Sequence, residues 1–180
     1  MKNPLRLLLA GIAACLAGCG GPSVETYANL TPKLDLREYF NGESSGFGAF
    51  FDWSGKQNTR FTVDLEGKWK GNEGTLKETF TYDDGKVQVR EWHITFTDDH
   101  NFTATAADIE GIAVGKQYGN TVHITYTLIV PRGDSTISLQ MDDWLYRIDE
   151  KTVINRNVMR KFGIKVGELA IGFNRPRPAK

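Results

Sequence analysis

Strict alternation of apolar and polar residues can be satisfied only by an extended strand with one buried face, because a helix would scatter the same residues around its axis. This chain carries two long runs of that kind. In the first, Phe61, Val63, Leu65, Gly67 and Trp69 fall on one side and Thr62, Asp64, Glu66, Lys68 and Lys70 on the other. In the second, Val122, Ile124, Tyr126, Leu128 and Val130 oppose Thr121, His123, Thr125 and Thr127. Turn signals recur between such runs, among them Asp83-Asp84-Gly85, Gly119-Asn120, Pro131-Arg132-Gly133-Asp134 and Phe162-Gly163. They predict strands near 46–53, 59–70, 74–82, 86–97, 101–108, 111–116, 121–130, 135–148, 152–161 and 164–173. No Pro interrupts residues 33–130, as central strands require. Consecutive strands joined by short turns form a meander, and a long meander must close or stack to hide its edges. The expectation is an all-β fold: an antiparallel up-and-down barrel of about eight to ten strands.

One short helix is expected before the barrel, over Asp35–Gly42, where Asp35 and Glu38 have capping-box spacing and Leu36, Tyr39 and Phe40 share a face. Further upstream, Lys2 and Arg6 precede an apolar run from Leu7 to Ala17, the layout of a secretory signal. The run is too short for a membrane span, which needs about 20 residues. The sequence Leu16-Ala17-Gly18-Cys19 resembles the lipobox of bacterial lipoproteins. The resemblance implies cleavage before Cys19 and acylation of that residue, with a stable anchor from several acyl chains. Gly20 stands where enteric-type lipoproteins carry an inner-membrane retention Asp, so the expected location is the outer membrane, facing the periplasm. The chain then divides into a signal over 1–18, a lipidated Cys and flexible tether over 19–32, a barrel over 33–174 and a basic tail over 175–180.

Removing residues 1–18 takes away two basic groups and no acid, leaving 20 basic against 22 acidic side chains, a net charge of −2. A chain so balanced lacks the basic surplus that nucleic-acid binding requires. Cleavage also removes Cys15, and Cys19 is consumed by lipid, so no thiol remains for catalysis or metal binding. His93, His100 and His123 have no metal-ligand spacing, and no nucleophile elbow or phosphate loop occurs. No metal and no cofactor are expected, and no catalytic residue is assigned.

Chemistry, if present, lies on the inward strand faces. Glu78 interrupts the face of Leu76, Phe80 and Tyr82, and Arg90 interrupts that of Trp92, Ile94 and Phe96. Asp108 follows Phe102, Ala104 and Ala106, and Glu168 sits among Ile164, Val166 and Ala170. A charge in an apolar lumen costs several kcal/mol unless paired, so Arg90 is expected to meet Glu78, Asp108 or Glu168. Two readings stay open: a satisfied ionic network closing one end, or a pocket gripping the polar end of an apolar ligand. Phe80, Trp92, Phe96, Tyr126 and Trp144 complete the expected pocket, and Glu78 with Asp108 is the candidate acid–base pair. Around Asp142-Asp143-Trp144 the alternation changes phase, which predicts a β-bulge after Met141.

Gly67-Lys68-Trp69 resembles the Gly-x-Trp signature of lipocalins, whose Trp plugs the closed end of the barrel. In that family a basic residue from the last strands covers the Trp, which implies Arg156, Arg160 or Lys161 beside Trp69. A wider set of blocks resembles a family of Gram-negative envelope lipoproteins known only as a domain of unknown function: Phe61–Gly67, Leu76–Gly85, Arg90-Glu91-Trp92, Ala107–Gly111, Asp142–Tyr146, Asn155-Arg156, Lys161–Gly163 and Gly167-Glu168. Members of that family are often encoded beside enzymes that modify membrane acyl chains, which implies a lipid-related role. Three functions are therefore expected in competition. The first is a membrane-tethered barrel binding a fatty-acyl or other small apolar ligand, with Arg90 meeting its carboxylate or phosphate. The second is an accessory enzyme acting on acyl lipids, and the third is a ligand-free envelope scaffold.

Overall fold

The computed structural model describes residues 21–175. The signal, Cys19 and residues 176–180 of the basic tail lie outside the described residues. Ten strands follow one another: β1 Gly42–Asp52, β2 Gln57–Lys70, β3 Glu73–Tyr82, β4 Val87–Phe96, β5 Asn101–Thr105, β6 Ile109–Tyr118, β7 Thr121–Arg132, β8 Ser135–Arg147, β9 Thr152–Lys161 and β10 Ile164–Asn174. Each pairs antiparallel with its sequence neighbours, and β1 pairs with β10 from Ser45↔Asn174 to Asp52↔Gly167. The sheet is a closed up-and-down barrel, so none of these ten strands has a free edge.

The helix is shorter than expected. A single turn, α1 Leu36–Tyr39, is capped by the Asp35 carboxylate, which accepts the Arg37 N–H at 2.8 Å. So short a turn persists only by packing. Tyr39 and Phe40 are buried against one another, Phe40 also meets Phe173, and the Phe40 carbonyl lies over Gly67. A Cβ at position 67 would sit 1.6 Å from that oxygen, so the Gly of Gly67-Lys68-Trp69 exists to let the plug seat. This end of the barrel is closed.

The segment expected as free tether is partly docked. A 3-10 turn, Val24–Tyr27, lies on the outer surface of β6 and β7, with Val24 only 3% exposed and Glu25 paired to Lys116 at 2.8 Å. Tyr27 meets Trp144 and Tyr146 edge-on, at 6.2 and 5.8 Å between ring centres.

That docking corrects the reading of β8. Its register with β7 is unbroken from Thr121↔Tyr146 to Arg132↔Ser135, so there is no bulge after Met141. Leu139, Met141, Asp143, Leu145 and Arg147 point inward, while Trp144 and Tyr146 stand on the outer face beneath Tyr27. Two apolar faces on one strand mimic a phase change. Register shifts occur instead at Phe50/Phe51, Glu110/Val114 and Lys165/Gly167.

The opposite end carries five hairpin turns, and no described segment plugs it as α1 plugs the first. Trp53 and Phe162 project there, 77% and 86% exposed.

Candidate functional site

Glu78 on β3 and Arg90 on β4 are register partners across the sheet, both directed into the lumen. Arg90 is held chiefly by Asp108, which reaches back from the β5–β6 turn. Nη2 meets Oδ2 at 2.7 Å, and Nε meets Oδ2 at 3.0 Å and Oδ1 at 3.1 Å. Its Nη1 lies 3.8 Å from Glu78 Oε2, which also accepts the Trp92 indole N–H at 3.2 Å. The guanidinium carbon lies 5.7 Å from the Trp92 ring centre and 5.9 Å from that of Phe80. Both are within reach of a cation–π contact. The ionic cluster expected from alternation is therefore present: Asp108 takes the Nε and Nη2 edge of Arg90, and Nη1 faces Glu78 without a hydrogen bond.

Across the lumen a second polar group adjoins it. Asp143 on β8 and Asn157 on β9 are register partners, and Asn155 donates to Asp143. Tyr126 on β7 donates to Asp143 at 3.4 Å and accepts from Asn157 Nδ2 at 3.1 Å. Asn157 is 1% exposed, and its Oδ1 has no hydrogen-bond partner among the described residues. Burial pushes the Glu78 carboxyl up to about 7, against the pull of Arg90 and the Trp92 N–H. Burial likewise pushes Asp143 up to about 6, opposed by the side-chain amides of Asn155 and Asn157. Burial works against the Arg90 charge too, but Glu78 and Asp108 outweigh it and hold the guanidinium above its ordinary value.

These groups border a cavity of about 90 Å³ whose remaining wall is apolar, with Trp69, Ile94, Phe102, Leu169 and Phe173 among its members. Pockets for drug-sized ligands run roughly 300–1,000 Å³.

Of the expected pocket residues, Glu78, Phe80, Arg90, Trp92 and Tyr126 line the cavity, and Asp108 joins it through Arg90. Trp69 also lines it. Three others do not. Phe96 is packed at the closed end between Trp69 and Phe102 with the Arg37 guanidinium 4.4 Å over its ring. Trp144 is on the outer face, stacked on His123 at 3.9 Å. Glu168 is also outside, bound to Arg156 at 2.5 Å and to Lys165, because the irregularity at Lys165/Gly167 shifts the phase of β10. Arg160 does not cover Trp69: it is exposed near the opposite end, where it bonds the Gly163 carbonyl at 3.4 Å. Alternation overlooked Asp143, Asn155 and Asn157. Two Asn within a strand are unfavourable for β structure and were the available sign of a buried polar face.

Residues 13–175 match the family described as Protein of unknown function (DUF3833). The chain belongs to that family. No curated protein matches this DUF3833 member in sequence. Among solved structures, it is similar to an S-type phycobiliprotein lyase, CPES, from Guillardia theta, with a TM-score of 0.60 at 8% identity over 88% of this chain and 100% of that one. It is also similar to Rv2717c from M. tuberculosis, with a TM-score of 0.56 at 18% identity over 83% of this chain and 100% of that one. At these identities the likeness is one of fold, and the DUF3833 barrel shares its lipocalin-like architecture with both.

Proposed function

We propose that this DUF3833 protein is a binding protein for a small, compact, mostly apolar molecule taken into the barrel lumen. The observation that carries this reading is the pairing of an apolar cavity with the unpartnered, buried Asn157 Oδ1 beside Glu78 and Asp143. A buried acceptor left without a donor costs about 1–3 kcal/mol, which a ligand's donor would recover. The cavity is far smaller than a long acyl chain, so the guest is short or contributes only one end. We further propose that Cys19 carries lipid and holds the protein at the periplasmic face of the outer membrane, as its lipobox-like sequence supports.

Native mass spectrometry of the chain purified from its own cells tests the binding reading: an added mass, lost on denaturation, is expected. The bare mass of the chain, together with no uptake of small apolar probes, would leave only a scaffold. Cys19→Ala tests the anchor. The variant is expected in the soluble periplasmic fraction, and its retention in membranes would overturn the lipidation.

A second reading, an accessory enzyme of acyl-lipid modification, is favoured by one observation. Glu78 and Asp143 are buried carboxyls in one cavity with proton affinities raised toward neutrality, as general acids and bases require. The pair differs from the one expected, since Asp108 is engaged by Arg90. Loss of turnover in Glu78→Gln with ligand binding retained would favour this reading over simple carriage.

A further inference from the structure

The charges around the lumen do not balance. Among the described residues, Arg90 is the single cation lining the cavity, against the carboxylates of Glu78 and Asp143 on the wall and Asp108 behind Arg90. Arg90 spends its Nε and Nη2 on Asp108 and turns Nη1 toward Glu78. An incoming carboxylate or phosphate could reach only Nη1, and would add a further negative charge beside Glu78 and Asp143 in a desolvated space.

The other donors of the polar layer are also engaged. Trp92 Nε1 donates to Glu78, Asn155 Nδ2 to Asp143, Asn157 Nδ2 to Tyr126, and the Tyr126 hydroxyl to Asp143. What remains toward the cavity is one donor, Arg90 Nη1, against an excess of acceptors: two carboxylates and Asn157 Oδ1. The unpartnered Trp69 Nε1 is a donor on the same wall, but it belongs to the closed end. Trp69 stands four residues along β2 from Leu65, the register partner of Glu78. The strand rise makes that separation roughly 13 Å. The rings of Trp92 and Phe80 add negative faces beside the same layer.

Resting on the reading of the lumen as a ligand site, we propose that the ligand is an apolar amine whose ammonium group is received by Glu78, Asp143 and Asn157 Oδ1. Arg90 then receives no anion; its partner is Asp108. An ammonium carries three donors and one positive charge, which answers both the acceptor excess and the charge imbalance. Burial raises the proton affinities of Glu78 and Asp143, a cost of ionisation that a bound cation would offset.

Three matched four-carbon probes test this: n-butylamine, butan-1-ol and butyrate, titrated into the full mature chain at pH 8 and followed by NMR. Butylamine is protonated there, as lysine is. The expected result is butylamine binding at least about tenfold tighter than butyrate, with shifts centred on Asn155, Asn157 and Trp92, and butan-1-ol between the two. Asp143→Asn, and separately Glu78→Gln, are expected to shrink the preference for butylamine over butyrate; a dispersed amide spectrum matching the parent away from the lumen reports that the barrel is folded. Butyrate binding as tightly as butylamine would overturn the amine assignment and leave the lumen as a ligand site. Failure of all three probes to bind would overturn the ligand-site reading itself, and the amine with it.

Discussion

The barrel buries Arg147 and Arg90, and they are satisfied in opposite ways. Arg147 at the closed end donates to the main-chain carbonyls of Lys33 at 2.6 Å, Asp149 at 3.1 Å and Glu150 at 3.2 Å, and lies 5.6 Å over the Tyr39 ring. Arg90 in the lumen is held by side-chain carboxylates. Carbonyls do not titrate and belong to the chain's own path, so Arg147 staples the N-terminal segment and the β8–β9 turn onto the barrel. Carboxylates titrate and compete for outside partners. The closed end is therefore completed by the protein alone, whereas the lumen keeps acids whose charge depends on what surrounds them.

The widest separation is expected from removing each arginine. Arg90→Ala leaves Glu78 and Asp108 without their cation, and Arg147→Ala strands three carbonyls; each is expected to cost about 3–5 kcal/mol at pH 8. At pH 5 Glu78 already carries its proton, so the Arg90→Ala loss should shrink while the Arg147→Ala loss stays constant. Urea denaturation at both pH values reads this directly, and equal pH dependence for the two variants would break the contrast.

Gly67→Ala should come next. Its Cβ would collide with the Phe40 carbonyl and unseat the plug. Overpacking of that kind costs about 3 kcal/mol. The loss should appear in exchange of the Tyr39 and Phe40 amides, with the lumen signals of Asn155 and Asn157 less disturbed.

Glu78 gives the lumen a pH dependence of its own. Its folded pKa of about 7 lies above the ordinary 4.5, so the folded state holds the proton more tightly between those values. The associated stability is fully present below the unfolded value and is lost as pH rises through the folded one, by up to roughly 3 kcal/mol. Asp143 acts in the same direction between 3.8 and about 6. Glu78→Gln should flatten the decline between about pH 4.5 and 7 and melt higher than the parent at pH 8; an unchanged thermal profile would show that Glu78 does not set that decline.

The smallest effect lies at the exposed hairpin tip. Phe162 has φ of 52° beside Gly163 at 79°. That is the left-handed pair that Asn-Gly fills without strain. Phe162→Asn is expected to gain about 0.5–1 kcal/mol in urea denaturation, with no change in the lumen resonances.

Ten strands were legible in the sequence because each is announced locally, by a period of two and by turn residues at its ends. Arg90, Glu78 and Asp108 were legible as a cluster for a related reason: charges on an apolar strand face have few ways to be satisfied. The misplacements of Trp144 and Glu168 share one cause. Alternation projects a face only while the phase holds and only one face is covered. Tyr27 covers the outer side of β8, and the register irregularity at Lys165/Gly167 shifts β10. Neither event is visible within the strand it affects. Asp143 was hidden by the same error, since placing Trp144 inward turned its neighbour outward.

A closed meander with a buried guanidinium follows from local sequence, because hydrophobic period, turn chemistry and the cost of a buried charge all act over a few residues. Closure of the barrel is what brings Asp108 to that guanidinium, sets Asp143 and Asn157 in the same lumen and leaves about 90 Å³ between them. Those outcomes depend on how far β3 stands from β8 across the lumen and on which rings fill the gap. Only the assembled barrel sets those distances.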